Sequence, residues 1–172
     1  HVVDSMLQTI KRESFLKKGE PLDSRLYDLE KERIALYMRN QGYANFLSNY
    51  VAQLTADTTG RKYRALVSLE VLPPLEDSVH HAFKVGKIVV FPYYSPEQES
   101  PYHRMKDTLI QGLIFRNELD SSMYFRSTVL LDAVKTRVGM PFRQTDLEAT
   151  QRELAASGVF KFVRIKQLPN AE

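Results

Sequence analysis

Val3, Met6, Leu7 and Ile10 recur at i, i+3, i+4, i+7 spacing, which predicts an amphipathic helix that fades near Phe15, before Gly19 and Pro21. Asp4 or Ser5 suits the positive end of its dipole. A second helix is expected from an N-cap at Asp23 or Ser24 to about Gln41. It carries Leu26, Leu29, Ile34, Tyr37 and Met38 among charged residues and stops at Gly42, where a positive φ suits glycine. The pattern then changes period. Residues 50–55 read as a strand and Asp57-Thr58-Thr59-Gly60 as a hairpin turn. In the strand that follows, Tyr63, Ala65, Val67, Leu69 and Val71 alternate with Arg64, Ser68 and Glu70, giving one dry face.

Leu72-Pro73-Pro74-Leu75-Glu76-Asp77 breaks this pattern and is the linker candidate. A Val- and Ile-rich strand is expected from Phe83 to Phe91, then a polar loop over Ser95 to Pro101. Leu109-Ile110 and Leu113-Ile114-Phe115 read as an inserted hairpin arm. Leu130 or Leu131, Val134 and Val138 regain helical spacing, with Gly139 ending that helix. Thr145 or Asp146 caps the next, which runs through Leu147 and Leu154 to Gly158. Phe160, Phe162, Arg164 and Lys166 then alternate with Lys161, Val163, Ile165 and Gln167 in a last strand.

One phrase occurs twice. Gly19-Glu20-Pro21-Leu22 precedes a charged run ending at Gly42-Tyr43-Ala44-Asn45-Phe46, and Gly139-Met140-Pro141-Phe142 precedes one ending at Gly158-Val159-Phe160-Lys161-Phe162. Both fit one β-α-α-β-β unit, the first copy without its opening strand and the second without its closing one. The expected fold is therefore α+β. Two tandem modules cover residues 1–74 and 75–172, each with two helices on a three-stranded mixed sheet, and the second carries an insert at about 95–125. Such small units gain stability from a packed neighbour, and tandem repeats more often bind than catalyse.

Composition narrows the function. The 172 residues carry 24 Lys and Arg against 21 Asp and Glu, with the signs mixed along the chain, so no nucleic-acid footprint is evident. The absence of cysteine excludes structural disulfides, thiol catalysis and cysteine–zinc sites. No apolar run approaches the ~20 residues of a membrane-spanning helix. No signal peptide opens the chain, and His1 is not a natural start, so a piece of a longer protein is expected, with any anchor outside it.

Candidate chemistry is sparse. His80, His81 and His103 lack helical ligand spacing and read as structural or solvated, despite Asp77 and Asp107 nearby. Gly86-Lys87 lacks the first glycine of a phosphate loop, whose place His81 holds. Glu30, Glu32 and Glu148 sit among Lys and Arg and read as solvated helix faces. No nucleophile elbow occurs. No enzyme, metal or cofactor is expected. Tyr93, Tyr94, Tyr102 and Tyr124 around the insert either grip a partner or pin the insert to its own sheet.

These residues carry a resemblance. Glu30-Lys31-Glu32-Arg33-Ile34, then Gly42-Tyr43-Ala44-Asn45-Phe46, then the hairpin ending Val67-Ser68-Leu69-Glu70-Val71 resemble one POTRA (polypeptide-transport-associated) repeat of the outer-membrane barrel assembly factors of BamA and TamA type. Residues 83–90 resemble the opening strand of the next repeat. Gly139-Met140-Pro141-Phe142, Thr150, Leu154, Gly158 and residues 160–165 resemble its second half. The insert, with its Tyr and Asn content, is similar to members from the Bacteroidetes lineage.

The resemblance implies a periplasmic arm tethered to the outer membrane by its own C-terminal β-barrel. It implies binding of unfolded outer-membrane proteins and accessory assembly subunits, and no nucleic acid. Clients would add as a strand along an unpaired sheet edge, mapped here to Tyr50, Val51, Ala52, Gln53 and Leu54 in the first repeat and to Phe162, Val163, Arg164 and Ile165 in the second. The alternatives are a secretion-pore arm recognising one exported protein, and an RNA-binding βααβ module. The latter needs a Gly-x-x-Gly loop, which neither Gly19 nor Gly139 supplies.

Overall fold

A computed structural model describes residues 2–53, 55–61, 63–75, 79–92, 105–118 and 127–168. The chain divides into two units, residues 1–82 and 83–172, a boundary later than the expected 74/75. The fold is α+β.

In the first unit, α1 (Val2–Ile10) and α2 (Ser24–Asn40) precede a hairpin of β1 (Thr55–Arg61) and β2 (Arg64–Ser68). The stripe of α1 points inward as its spacing dictates. Ile10 is buried, and Val3, Met6 and Leu7 pack against a core of Ile34, Ala35, Met38, Tyr43, Phe46 and Val51. Asp23 caps α2 by accepting the Arg25 N–H at 2.8 Å. At the other end the Gly42 N–H reaches the Arg39 carbonyl and the Tyr43 N–H the Met38 carbonyl, a pairing that needs the left-handed φ of +103° that Gly42 adopts. Of the residues α2 carries, Leu29 is exposed, and Tyr27, Glu30, Ile34, Ala35 and Met38 are buried.

The hairpin corrects two expectations. Asp57-Thr58-Thr59-Gly60 does not reverse the chain but lies within β1. The Asp57 carboxylate accepts the Thr59 N–H and hydroxyl, so the turn-forming chemistry is expressed as a bulge, with residues 58–60 facing only residue 65. The reversal comes next, where Arg61 pairs with Arg64 and Tyr63 takes φ +60°. The dry face is also shorter than expected. Val67, Leu69 and Val71 are partly buried, whereas Tyr63 and Ala65 stand in solvent.

In the second unit, β3 (Ile88–Val90) pairs in parallel with β5 (Leu113–Glu118), which pairs antiparallel with β4 (Met105–Ile110), giving the order β3-β5-β4. The insert thus supplies two of the three strands. Gln111 and Gly112, both at positive φ, close the β4–β5 hairpin in two residues. The expected strand from Phe83 to Phe91 is split. Residues 83–85 bond to the 139–142 segment through Val85 N–H to Met140, Gly139 N–H to Val85 and Phe142 N–H to Phe83, and only Ile88–Val90 joins the sheet.

Helices α3 (Ser127–Ala133) and α4 (Gln144–Ala156) pack on this sheet around Leu113, Phe115, Leu130, Ala133 and Leu154. Helix α3 ends at Ala133, six residues before the expected stop at Gly139. Just past that end, the buried Thr150 hydroxyl of α4 accepts the Lys135 N–H at 3.0 Å and donates to the Asp146 carbonyl at 2.7 Å, tying the segment after α3 to α4. The last expected strand, residues 160–167, forms no strand and joins no sheet among the described residues; Lys161 lies in a bend and the rest has no regular secondary structure.

Candidate functional site

The edge expected in the first unit is largely occupied. Tyr50 closes a 3-10 turn (Ser48–Tyr50) rather than opening a strand. From there the chain runs beside residues 70–72: the Ala52 N–H reaches the Glu70 carbonyl at 2.8 Å, the Leu72 N–H reaches the Tyr50 carbonyl at 2.7 Å, and Val51 lies opposite Val71. In that pairing Val51 directs its own backbone groups away from residue 71. Its N–H is already bonded to the Ser48 carbonyl at 3.0 Å, and its side chain is only 3% exposed. The Ala52 carbonyl accepts the Tyr27 hydroxyl from α2. Gln53 is exposed, and Leu54 lies outside the described residues. A visiting strand would find little backbone here.

Phe162, Val163, Arg164 and Ile165 are placed differently. They follow α4 and the Gly158 turn in a segment without regular secondary structure, and between Lys161 and Leu168 no backbone hydrogen bond is formed among the described residues. Phe160 and Val163 pack against the second core. Phe162 is 72% exposed and Leu168 81%. The inward pair is three residues apart, not two, so the alternation expected of a strand is absent. That spacing explains why the segment lies on the unit without entering the sheet.

A further edge was not assigned a role from sequence. The order β3-β5-β4 leaves β4 at one side of the sheet, where Leu109 is exposed. Two apolar pairs flanking Gln111-Gly112 were the signal for this hairpin. Asp107 and Arg116 face each other across it in a two-pronged ion pair, both contacts 2.7 Å. That hydrogen bonding holds the Asp107 carboxyl below its ordinary range and engages it away from any metal role.

The remaining candidates resolve individually. His80 packs between Phe46 and Tyr50, both ring centroids 4.9 Å away. A ring N–H donates to the Leu72 carbonyl across 2.9 Å, so this histidine is a structural clasp on residues 79–82. His81 is exposed; His103, Asp77, Tyr93, Tyr94, Tyr102 and Tyr124 lie outside the described residues. Glu148 is exposed and accepts from the Gln144 amide.

Glu30 is a correction. Its carboxylate is not solvated but 3% exposed. It accepts the Phe15 N–H at 2.9 Å and holds the Arg33 guanidinium through contacts of 2.6 and 3.0 Å. Burial alone would raise its pKa, yet the Arg33 hydrogen bonds, the Phe15 N–H and the Ser14 hydroxyl together hold it below the ordinary glutamate value. Glu30 thus ties the 14–16 loop to α2. Helical spacing could not reveal this, because the loop that covers it is non-helical.

Among the described residues, no group of three His, Asp or Glu side chains converges as metal ligands. Nor is any helix there long and apolar enough to cross a membrane. No protein-family model matches the chain, and no curated protein or solved structure does either.

Proposed function

We propose that this chain is a polypeptide-binding arm of an outer-membrane protein assembly factor, lying in the periplasm and tethered by a barrel elsewhere in its protein. It takes extended clients by backbone pairing and performs no catalysis. The observation that carries the reading is the stretch Phe162–Ile165, which has no partner for its backbone among the described residues and includes exposed Phe162, with exposed Leu168 close by in sequence. Unpaired N–H and C=O groups in an extended chain accept another strand without a side-chain code, which suits many clients. The two-unit α+β organisation and the twice-used Gly-x-Pro phrase support tandem modules, and the POTRA reading rests on the sequence resemblance, since the second sheet takes two of its strands from the insert. The first unit's candidate edge contributes little, since its groups are already engaged.

The test is photocrosslinking to a denatured barrel protein, with the reactive residue at Phe162, at Gln53, or at Leu29 on the exposed side of α2 as control. Crosslinks concentrated at Phe162 and suppressed by Arg164→Pro, which removes a backbone donor, support strand addition. Equal yields at Phe162 and Leu29 would defeat it. A response to one exported protein alone would move the reading to a secretion-pore arm.

A further inference from the structure

The hairpin of β1 and β2 has no core of its own. It is a two-stranded sheet in which no described residue from Thr55 to Ser68 is buried, and an isolated two-stranded hairpin is marginally stable in water. The apolar row of β2 and its continuation is covered at one end only. Leu69 and Val71 pack against the first core and Val67 is half-buried, but Ala65 is exposed and Tyr63 is 94% exposed.

The two edges of the hairpin differ. The β1 edge is blunted by its bulge at residues 58–60 and by Asp57, Thr58 and Thr59, the ordinary protection against unwanted pairing. The β2 edge has neither bulge nor proline. Residues 50–61 line one side of residues 64–72, and the Glu70 carbonyl and Leu72 N–H turn towards them. Alternation then turns the backbone groups of Ala65, Val67, Leu69 and Val71 to the other side, where no strand pairs among the described residues. Charge selects what fits there. Arg64 and Glu70 share one face of the strand, both are exposed, and neither has an ion-pair partner among the described residues.

We infer that a second copy of this chain pairs along β2, antiparallel about a two-fold axis at Val67. In that register Val67 lies opposite the partner's Val67 and Ala65 opposite the partner's Leu69, each exchanging backbone hydrogen bonds. Tyr63 is carried towards the partner's Val71, so the uncovered end of one apolar row meets the covered end of the other. Arg64 falls opposite the partner's Glu70, in the kind of pair whose side chains come closest, and symmetry makes the contact twice. A parallel pairing in register would instead set like charges against each other, and a slip of one residue would set the apolar row against the polar face. The joined hairpins form a four-stranded sheet in the order β1-β2-β2-β1, with the bulged strand at both margins. The inference does not depend on strand addition at Phe162–Ile165.

Sedimentation of the whole chain across concentration tests it. One strand pair buries less than the about 1,200 Å² of a stable interface, so a dimer with a dissociation constant on the order of 100 µM is expected. Arg64→Glu and Glu70→Arg should each weaken it about tenfold, and the double variant should restore it to within about twofold, since only a two-fold antiparallel pair brings these positions together. Ala65→Pro removes an outward N–H and should abolish the dimer while α2 amides keep their exchange protection. The chain has no cysteine, so Val67→Cys should oxidise to a covalent dimer roughly tenfold faster than Thr58→Cys on β1. A chain still monomeric at about 1 mM, a double charge variant no better than the single ones, or equal oxidation at the two cysteine positions overturns the inference.

Discussion

Replacing Glu30 tests whether the first unit is held by a buried charge as the geometry implies. The carboxylate accepts from a main-chain donor fifteen residues earlier and from a guanidinium one turn later, with almost no solvent access. Hydrogen bonds to a charged group contribute about 1.5–3 kcal/mol each, and breaking a buried pair by removing one partner costs about 3–5 kcal/mol. The Arg33 side chain is 18% exposed and can turn to water when its partner is lost, so the damage falls below the sum. Glu30→Ala should cost roughly 2–3 kcal/mol. For a unit of this size that is a fall of roughly 10–20 °C in melting temperature. Glu30→Gln keeps an acceptor for the Phe15 N–H and should lie between Ala and wild type. The pH dependence has a definite sign. The folded-state pKa of Glu30 lies below its unfolded value, so its contribution is complete above the unfolded pKa and fades as pH falls through the folded one. The gap between wild type and Glu30→Gln should therefore be full well above the ordinary glutamate pKa of about 4.3 and narrower at lower pH. Urea unfolding at pH 7 and pH 3, read by hydrogen exchange at α2 amides, measures both. A Glu30→Ala loss within about 0.5 kcal/mol at pH 7, or a gap equal at both pH values, would refute the role.

Phe115→Ala, at a fully buried ring, should cost about 3–5 kcal/mol and strip exchange protection from β5, while α2 amides stay protected. Gly42→Ala places a side chain at φ +103° and should cost about 1–2 kcal/mol by denaturant unfolding. Thr150→Val orphans the Lys135 N–H, so about 1–3 kcal/mol should be lost from the second unit, with faster exchange at that amide.

The helices were legible because their signals are local. The inward stripe of α1, the Asp23 cap and the Gly42 stop each depend on residues within a turn of one another. What escaped depends on partners far along the chain. Glu30 is indistinguishable from Glu32 by composition, yet the 14–16 loop covers only one of them. Asp57 and Gly60 carry true turn chemistry, but the neighbouring strand decided between a reversal and a bulge. The arm over residues 105–118 became two-thirds of a sheet because β3, at three residues, is too short to cover the second core alone. At the candidate site, the alternation at residues 160–167 reads as a strand, but whether such a segment pairs depends on a neighbouring strand running beside it, and none among the described residues does.

The spacing at Phe160 and Val163 also limits how tightly the proposed edge can hold a client. In a true strand these two side chains point to opposite faces, because alternation has a period of two. Both now pack on the second core, so adding a client in register requires one of them to leave it. Full burial of such a side chain contributes about 1.5–3 kcal/mol. Both are only partly buried, so the loss is nearer the lower figure, or roughly tenfold in affinity. Exposed Phe162 and Leu168 can offset it only if the client brings apolar side chains to cover them. An edge of this kind discriminates against polar chains without reading their sequence. On the proposed function it would favour segments with alternating apolar residues, the pattern of a barrel strand, and would release them easily because part of the binding energy is spent on the rearrangement.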